Sequence, residues 1–173
     1  TAYHVYDLWI MKNVAELLGR NEDAARFSES YEQRKAYFND TYINEEGKKM
    51  KSGSKVADTQ TSYAVGLALG AFSDDNIPRM AANLAETVRR QNRDDGGVLR
   101  PEYSLMTGFI GTAWISKALS DNGYVEEAYK LLQNNQYPSW LYAIDQGATT
   151  IWERLNGYTV ENGFGGNNRM NSF

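Results

Sequence analysis

The chain has 173 residues, 42% of them hydrophobic and 23% charged, which is enough for one buried core. Its net charge of −4 argues against a nucleic-acid footprint, and the short basic runs Lys48–Lys51 and Arg89-Arg90 are flanked by acids and read as solvated faces. The absence of cysteine excludes a disulfide framework, cysteine-based zinc sites and thiol catalysis, and fits both cytosol and periplasm, so the compartment stays open. No apolar run is long enough for a membrane span.

Helical periodicity dominates the rest. The first helix is predicted from Ala2 to Leu18, with Ile10, Val14, Leu17 and Leu18 as its buried stripe and Gly19 as its stop. Asn21 is the expected cap of a second helix with apolar positions Ala24, Ala25, Phe27, Tyr31 and Phe38. A polar link with Gly47 and Gly53 follows. The third helix is expected to open near Asp58-Thr-Gln-Thr61 and to carry Ala64, Val65, Ala68 and Leu69. Gly70 and Asp74-Asp75-Asn76 break it, and Pro78 marks the first turn of a fourth helix with the stripe Met80, Ala81, Leu84, Ala85 and Val88. Asp94-Asp95-Gly96-Gly97 is a turn.

A fifth helix is expected from Thr107-Gly108, carrying Ile110, Ala113, Trp114, Ala118 and Leu119, and Asn122-Gly123 ends it. A sixth runs from Val125 to Leu132 and buries Ala128, Leu131 and Leu132. After Gln133 the pattern dissolves, leaving loops, one short helix expected near Thr149, and a Gly/Asn-rich tail from Asn162 to Asn168. Three consecutive αα-hairpins of this kind suggest an α-solenoid or a closed toroid of helix pairs. The odd helices open with polar and aromatic residues: Thr1-Ala-Tyr3-His4, Thr59–Tyr63 and Thr107-Gly-Phe109. Gly147-Ala-Thr-Thr150 opens the next segment. If these helices form an inner ring, their N-terminal ends converge on one face and offer hydroxyls and free N–H groups to a central site.

Aromatic residues make up 13% of the chain, which fits either a large aromatic core or a carbohydrate cleft where rings stack on sugar faces. Tyr137-Pro-Ser-Trp140 and Gly147-Ala-Thr-Thr-Ile-Trp-Glu153-Arg154 place two indoles near one carboxylate in a region with little reason to be core. A carboxylate beside an indole is partly desolvated, which raises its proton affinity towards that of a useful base. A surface pair with Arg154 is the bland alternative, but sequence neighbours do not face each other on a helix. Tyr3, His4 and Asp7 form a further cluster that could line a sugar site or be structural. Asp58 could pair with Arg100 or bind a sugar hydroxyl. Gly163–Gly166 is no phosphate loop, because no Lys-Ser/Thr follows. With a single histidine, His4, a multi-histidine metal site is excluded, and no cofactor is expected.

These two stretches, together with Met170-Asn-Ser-Phe173, resemble the closing motifs of bacterial α-L-rhamnosidases of glycoside hydrolase family 78. Asp58-Thr-Gln-Thr-Ser-Tyr-Ala64 and Thr107-Gly-Phe-Ile-Gly-Thr112 resemble two earlier segments of the family in the same order. The resemblance implies an all-α fold, about half of an (α/α)6 barrel, with residues 1–173 forming part of a larger enzyme's catalytic domain. It implies inverting hydrolysis of terminal α-L-rhamnosides, with a rhamnose-containing glycoside as partner. Glu153 would be the general base, and Trp152 and Trp140 would shape the sugar pocket. The family's acidic Gly-Trp-x-Gly-Asp-like segment, which supplies the general acid, has no counterpart here, and Asp94-Asp95 and Glu102 lack its context. The family's Asn-His-Tyr continuation is also missing after Phe173. The expectation is therefore a fragment that is inactive alone and self-associates through exposed half-barrel surface. A non-catalytic module of helical hairpins and another (α/α)6 sugar hydrolase are the rival readings.

Overall fold

The computed structural model describes residues 1–44, 49–152 and 154–164. Helix α1 (Ala2–Leu17) turns at Gly19, whose φ of +65° suits a residue without Cβ, and leads into α2 (Asn21–Tyr42). Asn21 is the first residue of α2, and Arg20 holds the capping position without a side-chain cap. Glu22 and Asp23 in the first turn meet the positive end of the helix dipole instead. The two helices pack along each other, and Ala2, Val5 and Ala15 of α1 and Ala24 and Phe38 of α2 are buried.

The stripe expected to be the core face of α1 is not buried. Leu17 is 87% and Leu18 70% exposed, and Trp9, Ile10, Met11 and Val14 are also open to solvent. Periodicity identifies an apolar face but not what covers it, and nothing among the described residues does.

Ile43 bridges to Met50, and a short hairpin follows, β1 (Lys51–Ser52) with β2 (Lys55–Val56). Helix α3 (Gln60–Ala68) is capped by Thr59, whose hydroxyl accepts from the Ser62 N–H while the Ser62 side chain accepts in return from the Thr59 N–H. Helix α4 (Ile77–Arg89) carries Pro78 in its first turn and buries its expected stripe throughout: Met80, Ala81, Leu84, Ala85 and Val88 are each at most 3% exposed. Fully burying one such leucine or methionine side chain contributes about 1.5–3 kcal/mol.

The predicted turn at Asp94 closes the hairpin of β3 (Asn92–Arg93) and β4 (Leu99–Arg100). The Asp94 carboxylate accepts from the N–H groups of Gly96 at 3.0 Å and Val98 at 2.9 Å and from Arg100 Nε at 2.7 Å.

The expected fifth helix is broken in two, α5 (Gly108–Thr112) and α6 (Ile115–Asp121). The Trp114 N–H bonds to the Gly111 carbonyl, a tighter turn than an α-helix makes. Gly111 packs so closely on Thr61 and Thr107 that a Cβ there would lie 2.7 Å from Thr61 Oγ1. Because of this break, Ile110 and Ala113 face out while Ile115, Ala118 and Leu119 are buried. Helix α7 (Val125–Gln133) buries Ala128 and Leu131, but Leu132 is exposed, contrary to expectation. Its Glu127 is buried and held by Arg89, with Nε 2.9 Å away.

Helix α3 lies at the centre, in contact with α4, α5 and α6, while α7 closes over α6 and α4. Tyr63, Phe72, Met80, Leu84, Ile115, Leu119 and Leu131 form the innermost core. The fold is a run of helical hairpins, an arc of an α/α toroid.

Candidate active-site groove

The N-terminal ends of three helices are tied together by hydrogen bonds. Gln60, at the start of α3, is buried, and its Nε2 donates to the Ser104 carbonyl at 3.0 Å while its Oε1 accepts from the Met106 N–H at 2.9 Å. Thr61 Oγ1 donates to the Thr107 carbonyl at 2.6 Å, at the start of α5. The Leu105 N–H bonds to the Pro138 carbonyl at 2.9 Å, which draws in the start of α8 (Trp140–Asp145). Trp114 Nε1 donates to the Tyr3 hydroxyl at 3.0 Å, linking the start of α1 to the α5–α6 junction.

Helix α8 was not expected, and among the described residues no helix forms near Thr149, where a short one was expected. Ser139, fully buried, caps α8 by accepting from the Tyr142 N–H at 3.1 Å, so Trp140 becomes its first residue. Gly147, with φ of +86°, ends it, and the Gly147 and Ala148 N–H groups bond to Ile144 and Ala143 carbonyls. The chain then doubles back along α8. Thr149-Thr-Ile151 is β-branched throughout, which disfavours a new helix there.

This reversal builds a groove of about 340 Å³ between α8 and the returning segment, lined by Trp140, Ala143, Ile144, Ala148–Trp152 and Leu155. Trp140 and Trp152, twelve positions apart in sequence, therefore line one mostly apolar groove together with two threonines. A volume of that size suits a small ligand. Glu153, the expected base, lies outside the described residues, as do most of the Asn162–Asn168 tail and the Met170–Phe173 motif.

Beyond Leu155, β5 (Tyr158–Thr159) pairs with β6 (Gly163–Phe164), a hairpin that sequence reading passed over. Asn162-Gly163, a common hairpin-turn dipeptide, was the available signal. Tyr158 and Phe164 are cross-strand partners, and the Trp152 ring lies against both, at centroid distances of 5.7 and 5.8 Å. One tyrosine ties the approach to this hairpin to the residues before α8: Tyr137 Oη donates to the Asn156 carbonyl at 2.9 Å.

Tyr3, His4 and Asp7 are exposed on the first turns of α1, and none is among the residues lining the groove. Asp58 does not pair with Arg100, which is held by Asp94. Its carboxylate instead accepts from Tyr63 Oη at 2.7 Å and from Lys49 Nζ and Arg90 Nη1, each at 3.0 Å. Burial pushes the Asp58 carboxyl up, but these three donors outweigh it and hold it below the usual aspartate value. The same burial and contact push the Tyr63 phenol well above its ordinary value. Among the described residues no cluster of three or more His, Asp or Glu side chains could hold a metal ion.

The chain matches known proteins along nearly its whole length. The family model described as bacterial alpha-L-rhamnosidase 6 hairpin glycosidase domain matches residues 1–173. An alpha-L-rhamnosidase of Formosa agariphila is 36% identical over 95% of the chain, and one of an Alteromonas species is 32% identical over all of it. The chain spans only 16% and 18% of the length of these two relatives. The crystal structure of the Streptomyces avermitilis alpha-L-rhamnosidase complexed with L-rhamnose superposes with a TM-score of 0.79 at 30% identity, covering 99% of this chain and 15% of that one. The native Aspergillus terreus enzyme gives the same TM-score at 26% identity, with 99% and 18% coverage. By its full-length match, the chain belongs to the bacterial α-L-rhamnosidase six-hairpin glycosidase domain family.

Proposed function

We propose that these 173 residues form part of the catalytic domain of an inverting α-L-rhamnosidase, with Glu153 as general base. The observation that carries the reading is the groove that Trp140 and Trp152 both line, because Glu153 directly follows Trp152 in sequence. The indoles supply flat apolar faces for a sugar ring, and Thr149 and Thr150 supply hydroxyls for its polar edge. Relatives at 30–36% identity along nearly the whole chain bear the name of this activity. Tyr3, His4 and Asp7, exposed at the start of α1, are the candidates for polar contacts from the ring of helix ends.

In the mechanism, Glu153 takes a proton from a water that attacks the anomeric carbon of a terminal α-L-rhamnoside. A second carboxyl group, supplied from outside this chain, protonates the glycosidic oxygen as its bond to that carbon breaks. The two must stand roughly 6.5–9.5 Å apart to leave room for the water. The released sugar carries the opposite anomeric configuration. Proton NMR of the first product released by the full-length enzyme tests the stereochemistry. The β-anomer of L-rhamnose is expected before mutarotation, and initial release of the α-anomer would overturn inversion.

The open face of α1, from Trp9 to Leu18, is proposed to pack in the full-length protein on helical surface outside these residues, and to mediate self-association when the chain is isolated.

A further inference from the structure

The Tyr158–Phe164 hairpin has no place in the reaction as written, yet it makes the rear support of a groove wall. Phe164 is 56% exposed, an unusual position for a ring that contributes to no core. Its contacts explain it. Phe164 lies 4.9 Å from Tyr158 and 5.8 Å from Trp152, the second as an edge-to-face pair. Tyr158 meets Trp152 at 5.7 Å, so the three rings form a closed triangle. Trp152 is thus held from behind by two rings of one hairpin while it lines the groove. Trp152 follows Thr149-Thr150-Ile151, a stretch outside helix and strand; its backbone makes a single β-bridge, and these ring contacts act on the indole itself.

We propose that Phe164 and Tyr158 are positioning residues for sugar binding, which fix the Trp152 indole as a wall of the groove. They act through Trp152 and need not touch the sugar. The role in binding rests on the rhamnosidase reading above, whereas the clamp itself does not. Edge-to-face pairs are modest in energy, so losing the Phe164 ring loosens the wall without unfolding the domain. The exposure of Phe164 makes Phe164→Ala a mild change for the core.

The test has two parts. Fluorine NMR of 5-fluorotryptophan-labelled chain reads the four indoles separately, and Trp152→Phe assigns the Trp152 signal. Phe164→Ala is expected to shift or broaden that signal while those of Trp9, Trp114 and Trp140 stay in place, and Phe164→Tyr to restore it. An unmoved Trp152 signal would overturn the clamp. In the full-length enzyme, Phe164→Ala is expected to raise KM for an aryl α-L-rhamnoside by about three- to tenfold with kcat nearly unchanged, and Phe164→Tyr to recover the KM. An unchanged KM in Phe164→Ala, in an enzyme where Trp152→Phe raises it, would overturn the positioning role. If Trp152→Phe itself leaves KM unchanged while the fluorine signal responds to Phe164→Ala, the groove reading fails and the clamp stands.

Discussion

Asp58 shows how one side chain can tie the start of a helix to distant parts of the chain. Its carboxylate gathers Tyr63, Lys49 and Arg90 at the start of α3, one residue before the Thr59 cap. Because the folded protein holds this carboxyl below the ordinary value, its contribution is fully present above the unfolded-state pKa of about 3.9. It is lost as pH falls from there through the lower folded value. Thermal melts are therefore expected to show stability falling below about pH 4, with Asp58→Asn flattening that acid limb. At neutral pH the same variant is expected to cost about 1–3 kcal/mol, because three donors lose a charged acceptor. An acid limb as steep in Asp58→Asn as in the wild type would contradict the assignment. Sequence reading singled out Asp58 but not its partners, since Arg90 lies 32 positions away and only the packing of α3 against α4 brings it near. Trp140 and Trp152 were easier to find, because their motifs stand out from the surrounding loop.

Among the elements, α4 was the most legible, because a single apolar stripe facing a single core leaves little ambiguity. Helix α1 was misleading for the opposite reason: its strongest stripe faces solvent, and its buried contacts are small residues that periodicity undervalues. The α5–α6 break depends on a tertiary contact, Gly111 against Thr61, that no local pattern announces, whereas helix α8 opens on a local signal, the Ser139 cap. Gly66, in the middle of α3, sets helix propensity against packing. Alanine there would gain about 1 kcal/mol as a better helix former. Its Cβ, however, would stand 2.4 Å from Phe72 Cε2, on a ring that is itself buried. Overpacking costs about 1–3 kcal/mol, so Gly66→Ala is expected to be net destabilising in denaturant titration. A gain in stability would show that the Phe72 ring yields.

As a whole molecule, the chain is an arc of helical hairpins with one finished side and one open side. Helix α4 and the core around α3 and α6 are well covered, whereas the α1 face is not. The isolated chain is expected to self-associate in sedimentation velocity, and Val14→Glu with Leu17→Glu to shift it towards monomer. A wild-type chain that stays monomeric at high concentration would contradict that use of the face. It is also expected to show no turnover of an aryl α-L-rhamnoside, because the proposed mechanism takes its general acid from outside these residues, and turnover near that of a full-length enzyme would contradict the proposed shared site.

The most direct test of the central claim is Glu153→Gln in the full-length enzyme, with kcat measured on an aryl α-L-rhamnoside and folding checked by thermal melt. The account predicts a loss in kcat of about 10²–10⁴-fold, the contribution of a general base, with an unchanged melting temperature. A kcat that stays near the wild-type value would contradict it.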